Sequence, residues 1–289
     1  MDDLTYDLKQ LCRRNRDGSA MTQAQRMHSL AAIARQLKEM GFRNMRATSL
    51  GGRHVDALLE RWDSEDLSVG TIKNRLSHFR WWAGKVGKAG IIPADNAQLG
   101  IPQRQYAGGG DNRAKDLARG NLDCVTDAHV HMSLRLQQAF GLRREESIKF
   151  RPTYADRGDH IALKGSWCKG GRERTVPITT AEQRAVLNEA RALAGSGSLI
   201  PAHKSYIQQR HVYDGQCKAA GLSAMHGLRH AYAQARYETL TGWKPPAAGG
   251  PAIRELTPDQ RAVNAEARQE ISCELGHERV QITSVYLGR

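Results

Sequence analysis

Cysteine is scarce and scattered in this chain. The 289 residues hold five, Cys12, Cys124, Cys168, Cys217 and Cys273, an odd number with no C-x-x-C pair among them. That pattern is neither a disulfide framework nor a zinc ribbon, and it suits a reducing cytoplasm. Long apolar runs are missing too. Stretches such as Leu30 to Ala34 fall far short of the roughly 18 residues that a membrane span needs, so no membrane partner is expected. The opening Met1-Asp2-Asp3-Leu4 is acidic where a secretory leader carries Lys or Arg ahead of an apolar stretch, which predicts no leader. No internal repeat and no low-complexity tract interrupts the sequence, and no cluster of carboxylates gathers that would hold a metal.

Acidic residues are also in short supply. Against 30 Asp and Glu stand 43 Lys and Arg, a net charge of +13 with a pI of about 9.8. A chain this basic calls for an anionic partner, and nucleic acid is the commonest one. The excess is not a basic tail: residues 1–110 carry 17 Lys and Arg against 11 Asp and Glu, and the rest of the excess lies beyond them. With 40% apolar and 25% charged residues the composition is that of a folding chain, long enough for one large domain or two ordinary ones.

Apolar spacing predicts an all-helical first hundred residues. Thr22 and Gln25 have the spacing of a capping box, and Met27, Leu30, Ala31, Ala34 and Leu37 recur at helical intervals up to Gly41. Val55, Leu58, Leu59 and Trp62 form a second pattern, and a third opens at Ser68 and runs through Ile72, Leu76 and Phe79 to Val86. On that third helix Lys73, Arg75 and Arg80 fall mostly off the apolar stripe, either as a solvated face or, together, as a surface for phosphates. Helical signals then stop at Ile91-Ile92-Pro93, Pro102 and Gly108-Gly109-Gly110. The second half is mixed. Helices are expected near 125–140, 180–194, 205–220, 224–240 and 257–275. Ile161 to Ile178 reads as two short strands around a turn at Gly170-Gly171, and 242–256 as a Pro- and Gly-rich loop.

Four segments of the second half carry chemistry. They are Gly141-Leu142-Arg143-Arg144-Glu145-Glu146, then Lys169-Gly170-Gly171-Arg172-Glu173-Arg174-Thr175-Val176-Pro177, then His226-Gly227-Leu228-Arg229-His230, and finally Leu275-Gly276-His277 with Thr283 and Tyr286 after it. Each by itself is ordinary, since an Arg on a helix or a Lys at a Gly-rich turn is usually a solvated residue. His226 and His230 have the spacing of a helical metal pair, but Arg229 lies between them and no Glu follows the first His. Taken together, the residue types suit phosphodiester chemistry. Arg143 and Arg229 are permanently charged forks that match phosphate oxygens, and a Tyr can act as a covalent nucleophile.

In this order the segments resemble the tyrosine recombinase, or phage integrase, family over about residues 115–286. Arg143 sits at the first arginine of the family's G-L-R-x-x-E motif, with Glu146 at the supporting acidic position. Lys169 sits at the lysine of the hairpin motif, His226 and Arg229 fill H-x-L-R with His230 following, His277 fills L-G-H, and Tyr286 stands at the nucleophile position. The stretch from Thr71 to Trp82 is similar, more weakly, to the family's SAM-like core-binding domain.

The resemblance implies a mainly α fold with a small β-hairpin, an α+β arrangement. A helical core-binding domain would span residues 1–103, a linker 104–114 and a catalytic domain 115–289, the two domains clamping a duplex between them. Tyr286 would be the nucleophile, Lys169 the general acid, His226 a proton carrier and His277 a hydrogen-bond donor to the phosphate, with Arg143 and Arg229 balancing its charge. Arg172 and Arg174 join Lys73, Arg75 and Arg80 as expected DNA contacts. No cofactor and no metal would be needed. The partners implied are double-stranded recombination sites, three further copies of the chain in a tetramer, and accessory DNA-bending or directionality factors, all in the cytoplasm at the nucleoid. The favoured role is integration or excision of a mobile element. The alternatives are a Xer-type dimer resolvase, a type IB topoisomerase and a non-cutting DNA-binding protein of the same fold. Two features depart from the family pattern. The segment at 242–265 is longer than in most members, and reads as a surface insertion or else a contact to a neighbouring protomer or to DNA. Only Leu287, Gly288 and Arg289 follow Tyr286, where many members carry a C-terminal helix that docks into the next protomer.

Overall fold

In the computed structural model, which describes residues 2–103, 112–117 and 119–289, contacts divide the chain into two units, Met1–Gln105 and Tyr106–Arg289. Residues 104–111 of the expected linker lie outside the described residues.

The first unit is built from α1 (Asp3–Arg14), α2 (Ala20–Glu39), α3 (Gly52–Ser64) and α4 (Val69–Lys85). The helix α1 precedes the first helix that the apolar spacing picks out. It is capped by Asp2, whose carboxylate accepts from the Thr5 N–H, and it buries Leu4, Leu8 and Cys12 along one stripe against α2. The start of α2 is three residues earlier than the Thr22–Gln25 spacing suggests. Ser19 is already extended, its hydroxyl accepts from the Thr22 N–H at 3.2 Å, and the chain is helical from Ala20. Thr22 is therefore inside the first turn and Gln25 is an exposed helical residue. The expected cap at Ser68 is present on α4. Leu30, Ile33, Leu37, Leu58, Trp62, Leu76, Phe79 and Trp82 fill the core, and the two buried indoles find acceptors in Gln36 Oε1 and the Ala47 carbonyl.

The second unit carries α5 (Arg119–Asp123), α6 (Ala128–Phe140), α7 (Arg144–Ile148), α8 (Pro152–Ala155), α9 (Ala181–Ala194), α10 (Tyr206–Ala219), α11 (Gly227–Thr241), α12 (Pro258–Glu274) and α13 (Ser284–Leu287). Its two strands, β1 (His160–Leu163) and β2 (Arg174–Pro177), pair antiparallel with Ile161 opposite Val176. The turn expected at Gly170-Gly171 is present, within a longer connection. Residues 164–173 make two successive 3₁₀ turns, Gly165–Trp167 and Lys169–Gly171. Phe140, Leu142, Phe150, Ile161, Leu163, Val176, Leu187, Tyr237 and Ile271 share one core, with α11 packed against α6, α12 and α13. The segment at 242–265 is partly interior. Its 3₁₀ turn Pro246–Ala248 packs against α13, and its last residues are the first turns of α12, capped by Thr257 and Gln260. Among the described residues no helix is long and apolar enough to cross a membrane.

Replacing Ser19 by Ala should lower the unfolding free energy by about 1 kcal/mol, whereas Gln25→Ala should change it by less than about 0.5 kcal/mol. Urea titration of the two variants distinguishes the cap at Ser19 from one at Thr22.

Candidate active site

The site begins where α6 ends. Gly141 adopts φ +59°, and a Cβ there would lie 2.5 Å from the ring of Tyr232 on α11, so only glycine makes this exit. Two residues on, Arg143 caps α7. Its N–H donates to Glu146 Oε2 at 2.7 Å and its Nη1 to Glu146 Oε1 at 2.8 Å. Glu146 is wholly buried and receives a second guanidinium from β2, through Arg174 Nη2. Arg174 also donates from Nη1 to the Glu274 carbonyl at 2.6 Å. Arg229, in the first turn of α11 and 1% exposed, donates Nη1 to the Gly141 carbonyl at 2.6 Å and Nη2 to the Leu275 carbonyl, which also accepts Arg143 Nη2 at 3.3 Å. Leu275 closes the C-terminal end of α12, where unpaired carbonyls attract cations.

Three guanidiniums thus surround one carboxylate. Burial pushes the Glu146 carboxyl up, but Arg174, Arg229 and Arg143 outweigh it and hold the group below the usual carboxylate range. Burial, then Arg174 and Arg143, push Arg229 down to about 9, which leaves it a cation at neutral pH. The cluster keeps an excess of positive charge, and three of its buried nitrogens have no hydrogen-bond partner among the described residues: Arg174 Nε, Arg229 Nε and His277 Nε2. A desolvated donor left unmade is unfavourable by about 1–3 kcal/mol. An anion with several acceptor oxygens is what such a set can bind.

The remaining groups come from chain ends and helix starts. Gly276 takes φ +62° against the aliphatic stem of Arg174, 2.6 Å from where a Cβ would stand, and delivers His277 into the cluster. His277 Nδ1 lies 3.0 Å from the hydroxyl of the buried Thr283. With that hydroxyl donating, the proton of the neutral ring sits on Nε2. Tyr286, on α13 and 6% exposed, has its hydroxyl 3.0 Å from Nε2 of His226, the residue that caps α11. The Tyr286 ring stacks on His277 at 5.1 Å, lies 4.4 Å from His230, and has the Arg229 guanidinium 5.8 Å from its centroid. Burial, then the neighbouring guanidiniums, push His277 down to about 3, and the same causes lower His226. His230 goes down to about 4 through burial, His226, Arg113 and Arg229. At neutral pH the three imidazoles are therefore uncharged, so His226 can accept a phenolic proton.

The structure brings together Arg143, Glu146, His226, Arg229, His230, His277 and Tyr286. It does not bring Lys169 in. That side chain is exposed on the Lys169–Gly171 turn and makes no hydrogen bond or ion pair among the described residues. Arg174, expected to contact DNA, is instead an interior residue of the cluster, because the carboxylate it neutralises is buried. Arg172 is exposed and ion-pairs with Glu278 at 2.6 Å. In the first unit, Arg80 departs from the expected phosphate-facing surface, with Nε and Nη2 bonded to the Pro93 carbonyl and Asn96 at 2.9 Å each. The Arg75 guanidinium lies 5.4 Å over Trp62, and Lys73 is half-buried with no bonded partner among the described residues. Sequence reasoning did not find the role of the Leu275 carbonyl or of Thr283. A backbone acceptor leaves no trace in residue identity, and Thr283 shows only as a hydroxyl near Tyr286. Among the described residues no group of three or more His, Cys, Asp or Glu could hold a metal ion.

Residues 1–89 match the family described as "Phage integrase, N-terminal", and residues 117–235 the family described as "Integrase". No curated protein sequence is significantly similar to the chain. Among solved structures, a lambda integrase dimer bound to a COC′ core site superposes with a TM-score of 0.63 at 14% identity, over 96% of this chain and 76% of that one. The Tn1549 transposon integrase in complex with circular intermediate DNA gives 0.58 at 11% identity, over 100% and 96%. The XerH site-specific recombinase bound to palindromic difH substrate gives 0.58 at 15% identity, over 99% and 81%. At these identities the likeness is one of fold.

Removing the only carboxylate among the three guanidiniums leaves them uncompensated, so Glu146→Gln should lose about 3–5 kcal/mol of stability in chemical denaturation. A second expectation concerns pH. The unfolded chain protonates its histidines below about 6.5, while the folded chain keeps His230 and His277 neutral down to about 4 and 3. The unfolded state therefore binds more protons in this window, and stability falls as pH drops through it. Melting temperatures between pH 7 and pH 4 measure the slope, which His277→Gln should flatten.

Proposed function

Because this chain belongs to the tyrosine recombinase, or phage integrase, family, we propose that it is a site-specific recombinase that cuts and rejoins duplex DNA through a 3′-phosphotyrosine at Tyr286. The observation that carries this reading is the phenolic oxygen of Tyr286 held 3.0 Å from a neutral imidazole, beside a buried arginine cluster with excess positive charge and unpaired donors.

The Tyr286 oxygen attacks the scissile phosphorus while its proton passes to His226. The bond from phosphorus to the 5′ oxygen breaks, and that oxygen leaves as a hydroxyl with a proton from Lys169. Lys169 reaches the departing oxygen from its exposed turn once DNA is seated. Arg143, Arg229 and His277 Nε2 balance the charge that builds on the non-bridging oxygens, the largest contribution in reactions of this kind. Resealing runs the same steps backwards: a 5′ hydroxyl attacks the phosphotyrosine, the protons return, and one phosphoester has replaced another. No ATP, oxidant or metal enters the balance.

Four copies exchange strands between two sites, a reading supported by the lambda integrase tetramer on a Holliday junction, which shares the fold at a TM-score of 0.61. The work would take place at the nucleoid in the cytoplasm with accessory DNA-bending or directionality factors. Integration or excision of a mobile element is the favoured role, supported by the long 242–265 segment, which departs from the Xer-type pattern.

The test is a nicked suicide duplex made from the DNA flanking this protein's gene, incubated without metal or ATP and resolved on a denaturing gel. A covalent protein–DNA band is expected from the wild type and none from Tyr286→Phe, with DNA binding retained. Arg143→Ala should slow band formation by about 10²–10³-fold. Tight binding without a band on any flanking sequence points to the non-cutting reading, and relaxation of plasmid lacking the site to a type IB topoisomerase.

A further inference from the structure

The short helix that carries Tyr286 is held partly by a residue far from the phosphate cluster. Gln234 lies on α11 two turns beyond His226 and is 7% exposed. Its Nε2 donates to the backbone carbonyl of Tyr286 at 3.0 Å and to Asn112 Oδ1 at 2.8 Å, and its Oε1 accepts from Asn112 Nδ2 at 3.1 Å. The two amides thus bond each other reciprocally, and the pair ends on the main chain of Tyr286.

Asn112 is the first described residue after 104–111, the segment that continues in sequence toward the first unit. Asn112 Oδ1 also accepts from the Ala114 N–H at 3.0 Å, which folds the chain back. The strap then runs over the start of α11. The Lys115 N–H donates to the Gly227 carbonyl at 3.0 Å, and Lys115 Nζ donates to the Ser223 carbonyl at 2.8 Å. The approach is close enough that a Cβ on Gly227 would stand 2.6 Å from the Arg113 carbonyl. One strap therefore fastens to the helix start that presents His226 and, through Gln234, to the residue whose hydroxyl His226 meets.

We propose that Asn112 and Gln234 are a positioning pair: they tie the strap at residues 112–115 to the backbone of Tyr286 and hold its hydroxyl on His226. The proposal rests on the recombinase reading for its consequence, since it makes the strap's attachment a determinant of cleavage rate. Its structural half stands without that reading. The pair acts through Tyr286 and touches no reacting atom. Because the helix Ser284–Leu287 is a single turn, losing one bond to its carbonyl lets the hydroxyl drift from its acceptor. A displacement of about 1 Å can slow a positioned reaction by about 10²-fold.

The experiment uses the full chain in three variants. Gln234→Met keeps the volume and removes the amide. Asn112→Ala removes the reciprocal bond from the linker side. Asn112→Asp is nearly isosteric but sets a second acceptor against Gln234 Oε1 in place of the donor, so it breaks the reciprocal pair as well. In the DNA-free protein, hydrogen exchange of residues 284–289 by mass spectrometry should quicken by about fivefold in all three variants. On the nicked suicide duplex, the single-turnover rate at saturating DNA should fall 10- to 100-fold in all three, with DNA affinity unchanged in Asn112→Ala and Gln234→Met. The double variant Asn112→Ala/Gln234→Met should be no slower than either single one, because the two act as a unit. Unchanged exchange at 284–289 overturns the proposal whatever the enzyme does with DNA. Quickened exchange with an unchanged cleavage rate overturns the positioning role. If wild type forms no covalent band, the recombinase reading has failed, and the exchange result still decides whether the pair holds Tyr286.

Discussion

A single buried carboxylate organises the second unit of this chain. Glu146 accepts from the backbone and the guanidinium of Arg143 and from Arg174, with Arg229 close enough to act on its charge. A carboxylate this deep is tolerable only when paired and hydrogen-bonded. The pairing draws in α7, the first residue of β2 and the first turn of α11. The arginines in turn need acceptors beyond Glu146, and they take them from the Gly141, Glu274 and Leu275 carbonyls. Segments separated by 100 and 132 residues are thereby locked at one point. One negative charge cannot neutralise the cations it gathers, and that imbalance leaves the packing device with positive charge to spare.

The same field sets the state of the imidazoles. His226, His230 and His277 stand around one phenol, close to permanent positive charge and partly out of water, and all three are pushed toward neutrality. Neutral rings beside the Tyr286 hydroxyl are free to accept a proton and to form hydrogen bonds without adding further charge. An arriving phosphate would weaken the field they feel, so their basicity in the complex belongs to the complex and not to the free protein. Tyr286 and the imidazoles share the field of the arginines as well as their contacts with one another.

Much of this was legible before any coordinates. Helical spacing located α2 to α4 and most of the helices after α6, because an amphipathic helix must repeat its apolar residues to bury one face. Six of the family-matched residues meet in one place with Glu146. What failed has physical causes. The cap of α2 was misplaced because Ser19 and Thr22 are both hydroxyl residues and only backbone conformation says which is outside the helix. Arg174 and Arg80 read as surface cations because sequence shows charge but not the buried acceptor that claims it. Lys169 sits on a turn that packing does not fix against the cluster, so its motif position fixes its identity and not its place. The 242–265 segment reads as a surface insertion or a contact to a neighbouring protomer or to DNA, and neither reading includes the bracing of the Tyr286 helix by Pro246–Ala248, a contact that no periodicity announces.

Gly141 and Gly276 bear on how such a sequence can drift. Neither touches a substrate or bears a charge, yet each occupies a left-handed conformation against a neighbour that is itself pinned. Tyr232 is anchored through its hydroxyl to Glu274, and Arg174 is anchored at both ends of its guanidinium. A side chain at either glycine would have to displace a ring or a guanidinium that other bonds hold in place, so no single compensating change relieves it. Among diverged copies of this chain, these two positions would therefore stay as invariant as the arginines they flank, and invariance alone would not tell a chemical group from the empty space that lets it stand where it does.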